Sequence, residues 1–63
     1  MTQEEASMLA AHWTALAEEA RQELSRYDVG SMTWCEKKAW HRECIGTANA
    51  FHYVARRMGG IAA

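Results

Sequence analysis

Residues 32–58 read MTWCEKKAWHRECIGTANAFHYVARRM. Apolar residues recur through this stretch at steps of three and four, the spacing of one face of an α-helix. They fall into two sets. Trp40, Cys44, Phe51, Val54 and Met58 make a first stripe, with Thr47 and Ala55 beside it. Trp34, His41, Ile45, Ala48 and His52 make a second stripe, roughly 100° further round the wheel. A helix resting on one neighbour needs an apolar arc of only about 100°. The wider arc here calls for two neighbours, and a chain of 63 residues predicts that one of them is another molecule.

Upstream, Asp28-Val29-Gly30-Ser31 interrupts the periodicity. Gly30 can take positive φ and close a helix, and Ser31 or Thr33 can cap the next one. Before the break, Leu9, Trp13, Leu16, Ala20, Leu24 and Tyr27 repeat at steps of four and three. Thr2-Gln3-Glu4-Glu5 has the form of a capping box at the helix start. Downstream, Gly59-Gly60 follows Arg56 and Arg57, a combination that suits a helix C-terminus. The expectation is an all-α chain with one domain over 1–63. Helix 1 spans about 3–27, a turn 28–31, helix 2 about 32–58 and a frayed tail 59–63. A short connection makes the helices antiparallel. The resulting two-helix hairpin is expected to pair into a homodimeric four-helix bundle.

Composition narrows the function. The chain has no proline, and 49% of its residues are hydrophobic. Charged residues interrupt both helices, which argues against a membrane span. The N-terminus MTQEE is acidic, unlike a secretory signal. Cys35 and Cys44 lie about 13 Å apart along one helix, beyond disulfide reach. Two unbridged thiols suit a reducing compartment, so a cytoplasmic location is expected.

Cys35, His41 and Cys44 invite a zinc reading, but Cys35 points about 120° away from His41 on the wheel. No metal site is therefore expected, nor any other cofactor. Cys35 has no base on its own face, and Cys44 falls on the core side, so neither is read as a nucleophile. No catalytic residues are expected, and the chain is read as a non-enzyme.

Charge divides unevenly. Residues 1–28 hold six acids and two bases, and residues 29–63 hold two acids and five bases. The simplest consequence is attraction between the two helices. Lys38, Arg42 and Arg56 nevertheless share a face of helix 2 and make a candidate basic surface. Trp13 and Trp40 are read as core. Trp34, beside the turn and off the first stripe, is read as an interface residue with His41, Ile45 and His52.

The functional expectation is a small interaction module. It would pair with itself and bind and modulate a cytoplasmic protein, as an accessory or inhibitor protein of a phage or mobile element does. The alternative is a dimeric hairpin that binds RNA or DNA through Lys38, Arg42 and Arg56. A sequence pI near 6.3 weighs against that alternative.

Overall fold

The computed structural model describes the backbone of residues 1–62 and the side chains of residues 1–59. Two helices pack against each other: α1, Gln3–Leu24, and α2, Met32–Ala62. Thr2 caps α1 as its sequence requires. Its backbone is extended, and its Oγ1 accepts from the Glu5 N–H at 3.1 Å. The Thr2 hydroxyl in turn donates to the Glu5 carboxylate at 3.3 Å. Ser31 caps α2, with Oγ accepting from the Trp34 N–H at 3.1 Å. Thr33, the other candidate cap, lies inside the helix.

The element bounds differ from those expected. Helix α1 stops at Leu24 rather than Tyr27. The Ser25 hydroxyl donates to the Gln22 carbonyl at 2.8 Å, and the amides of Ser25, Arg26 and Tyr27 each bond three residues back. That tighter winding ends the α-helix and leaves Tyr27 37% exposed, outside the packed face. Gly30 has φ 87°, the left-handed backbone that turns the chain into α2.

Helix α2 continues through Gly59 and Gly60 to Ala62 instead of stopping at residue 58. A glycine ends a helix only when it leaves helical φ, and Gly30 is the positive-φ glycine among the described residues. Near that end Gln3 ties α1 to α2, its Nε2 donating to the Ala55 carbonyl at 3.4 Å across the open end of the hairpin. Ala63 and the side chains of residues 60–62, part of the expected tail, lie outside the described residues. The helices are accordingly unequal, with 22 and 31 residues.

The seam between them is built from small side chains. Ala6, Ala10, Ala17 and Ala20 of α1 are buried against Cys44 and Ala48 of α2. Ala6, Ala10, Trp13, Ala17, Ala20 and Leu24 step by four and three, a continuous interhelical stripe. Apart from Trp13 and Leu24, which are half-buried within the stripe, the large residues expected at the centre sit beside it. Leu9, Leu16, Phe51, Val54 and Met58 are half-buried, and Trp40 is 42% exposed. The expectation that one stripe of α2 meets α1 gives way to a seam running between the stripes. It takes Cys44 from the first and Ala48 from the second.

Small seam residues allow close approach of the backbones and tolerate little added volume. Ala10→Leu should therefore cost about 1–3 kcal/mol by overpacking. Ala11→Leu, at an exposed position one residue away, should change stability by less than about 0.5 kcal/mol. Urea unfolding of both variants at one protein concentration checks the difference.

Candidate interaction surfaces

Adjacent residues of α1 mark the two flanks of the hairpin. Trp13 meets Trp40 edge-on, with ring centroids 6.2 Å apart and planes at 62°. Thr14, roughly 100° further round, meets His52 on the other side, Oγ1 to Nε2 at 3.1 Å. We term the first the tryptophan flank and the second the histidine flank.

The tryptophan flank gathers the large apolar side chains of both helices. Leu9, Trp13 and Leu16 come from α1, and Trp40, Phe51 and Val54 from α2. On each helix these residues centre roughly 50° to one side of the buried seam, and on both helices it is the same side. A shallow groove lined by Glu5, Met8, Leu9 and His12 extends this surface, with mostly apolar walls. Sequence reading missed Met8, which is 66% exposed, and took His12 for a boundary residue. His12 lies edge-on to Trp13 at 6.0 Å. The signal for Met8 was its place one residue before Leu9 on the outer edge of the apolar face.

The histidine flank carries the second stripe of α2 beside a polar edge of α1. Trp34 is half-buried in the first turn of α2, Ile45 is 40% exposed, and His41 is half-buried. His52 is exposed. The Thr14 hydroxyl donates its proton to the Ala10 carbonyl at 2.7 Å, so the His52 Nε2–H donates to Thr14. His41 Nδ1 is buried without a hydrogen-bond partner. Glu18 supplies α1 with a carboxylate here. Arg21 Nε donates to it at 3.0 Å, and this hydrogen bond holds the Glu18 carboxyl below its ordinary range.

Lys38, Arg42 and Arg56 lie on the outer edge of this flank, within about 40° of one another on the wheel. Lys38 is half-buried, and the two arginines are exposed. Among the described residues the ion pairs are Arg21–Glu18 and Lys37–Glu23, so none of the three is paired. The Lys37–Glu23 bridge joins the helices at 3.3 Å and expresses the expected attraction between them. Both partners are more than one-third exposed, so it steers alignment more than it stabilises. A shallow groove lined by Trp34, Cys35, Lys38, Ala39 and Arg42 opens along the same edge.

The zinc candidates do not converge. Cys35 is exposed and Cys44 lies in the seam at 0% exposure. Among the described residues, no group of three His, Cys, Asp or Glu side chains could hold a metal ion. None of the described helices is long and apolar enough to cross a membrane. No family model matches the chain, and no curated protein or solved structure matches it significantly.

Two outcomes follow from these positions. Burial, with a smaller contribution from the Glu43 carboxylate, pushes the Cys44 thiol up. A thiol reagent at neutral pH should therefore label Cys35 promptly and Cys44 only after urea is added, as mass spectrometry of the labelled chain will show. His41→Leu removes a buried orphan nitrogen while keeping an apolar side chain, and should raise unfolding stability by about 1 kcal/mol. An unchanged or lowered urea midpoint would show that the ring earns its place by a contact with α1.

Proposed function

We propose that the chain is a non-enzymatic protein–protein interaction module that works as a homodimeric four-helix bundle. The observation that carries this reading is the shared displacement of the large apolar side chains. A hairpin that is complete by itself directs its largest residues at its own seam. Here Leu9, Leu16, Trp40 and Val54 point to one side of the seam on both helices. Each helix of a four-helix bundle has that property, because its apolar arc faces the bundle axis between two neighbours.

A second copy offers the same arc at the same length. The hairpin extends 47 Å along its axis, so a second copy lying alongside can pack over the full length of both helices. The histidine flank has apolar residues on α2 but polar ones on the facing edge of α1. It therefore suits a dimer core less well and is left for a target.

Binding and modulating a cytoplasmic protein, in the manner of a phage or mobile-element accessory or inhibitor protein, is the activity this architecture supports best. Side chains presented on a rigid helical pair make a docking surface. The two grooves on the flanks are shallow and open, a form that suits contact with another protein surface.

Sedimentation at micromolar concentration should give about twice the chain mass of 7.1 kDa. Leu16→Ala with Trp40→Ala should shift the species toward single chains, with each truncation costing about 1–2 kcal/mol of association. A folded species of 7.1 kDa at every concentration would overturn the dimer.

A further inference from the structure

We infer that the outer edge of the histidine flank is a docking surface for an acidic amphipathic helix of a partner protein. The inference rests on the interaction-module reading and names the target's chemistry. Three observations support it.

First, Lys38, Arg42 and Arg56 present cations without an ion-pair partner among the described residues, along α2 over about 27 Å, or five helical turns. Glu36 and Glu43, the acids of α2, lie roughly 100–160° away from them on the wheel. Glu18, the α1 carboxylate on this flank, is already held by Arg21. The surface is thus cationic locally in a chain whose net charge is −1. Second, apolar side chains lie between and beside the cations. Ile45 is 40% exposed between Arg42 and Arg56, and the half-buried Trp34 indole lies beside Lys38 in the groove. Third, Lys38, Arg42, Ile45, His52 and Arg56 belong to a run stepping by three and four, so a straight helix can lie along them in register.

The partner that matches these features carries carboxylates opposite Lys38, Arg42 and Arg56. It carries one aliphatic residue between them that reaches Ile45, and another about 16 Å along the axis, beyond Lys38, that reaches the Trp34 indole. Exposed apolar anchors between cations suit a protein helix better than a phosphate backbone. The net negative charge of the chain also opposes the long-range approach of a polyanion as dense as duplex RNA or DNA. A protein helix holds its few carboxylates in defined places, so local complementarity outweighs that repulsion.

The test uses the full chain and a fluorescein-labelled synthetic peptide of about 21 residues. The peptide has leucines at helical spacing and glutamates on either side of them. Anisotropy titration should show saturable binding that weakens about tenfold or more between about 0.05 M and about 0.5 M salt. Lys38→Glu with Arg42→Glu should lower affinity by at least about tenfold, whereas Lys38→Arg should preserve it. Trp34→Ala should lower it by about tenfold or more. The charge reversals, at half-buried Lys38 and exposed Arg42, keep the test valid if Trp34→Ala fails to fold.

A lysine-for-glutamate version of the peptide binding equally well would overturn the inference. So would absence of binding at about 100 μM, roughly −5 to −6 kcal/mol. Tighter binding of a duplex RNA or DNA than of the peptide would overturn it too and assign the edge to phosphates. Sedimentation of the same samples separates the two readings. Peptide binding by single chains would remove the dimer alone, and a dimer that ignores the peptide would remove this inference alone.

Discussion

Contact between the two helices through alanine is the constraint on which the rest of the structure depends. Ala6, Ala10, Ala17 and Ala20 bury themselves against Cys44 and Ala48 and leave little space at the helix–helix interface. Larger residues cannot enter that interface without forcing the backbones apart. They are displaced to its margins. The same crowding puts Cys44 beyond solvent and raises its thiol, while the neighbouring cysteine of α2 stays exposed. Close packing at the seam and half-exposure beside it are thus one fact seen from two positions.

The displacement gives the two flanks different characters. The tryptophan flank receives large apolar side chains from both helices, so covering it would bury a continuous surface. The histidine flank receives them from α2 alone and faces Gln3, Thr14 and Glu18 across the seam. Helix α2 is therefore the element that contributes apolar side chains to both flanks. Its second stripe is supported from behind by α1, with cations at its rim that have no ion-pair partner among the described residues.

How much of this was legible in the sequence depends on residue size. Thr2, Gly30 and Ser31 announce the helix boundaries they control, because capping and positive φ are local demands. The hairpin itself follows from those signals. The end of α1 was not legible, since Ser25 resembles any polar helix residue until its hydroxyl takes the Gln22 carbonyl. Gly59-Gly60 misled in the opposite direction, because helical glycine and terminating glycine look alike in a sequence. The seam was overlooked for a related reason. Hydrophobic periodicity weights residues by size, so Leu9, Leu16 and Trp40 outvoted Ala6, Ala10 and Ala17. Those alanines nevertheless keep a regular alternation of four and three with Trp13, Ala20 and Leu24. Residues such as Trp34, Ile45 and His52 could be placed on a shared stripe, but the sequence held no sign of which α1 side chains would face them.

A seam of alanines is also smooth. Bulky side chains interlock like gear teeth and resist sliding of one helix along the other, whereas a row of methyl groups offers shallow ridges. A few polar catches outside the seam add to the edge-on Trp13–Trp40 contact in fixing axial register. Gln3 holds Ala55 at the open end, Thr14 holds His52 near the middle, and Glu23 holds Lys37 close to the turn. Each is polar, each is at least partly exposed, and each joins positions far apart in the chain. The alignment of the helices, and with it the spacing of the surface groups across the two flanks, is therefore tuned at solvent-accessible contacts as well as at the buried interface that holds the pair together.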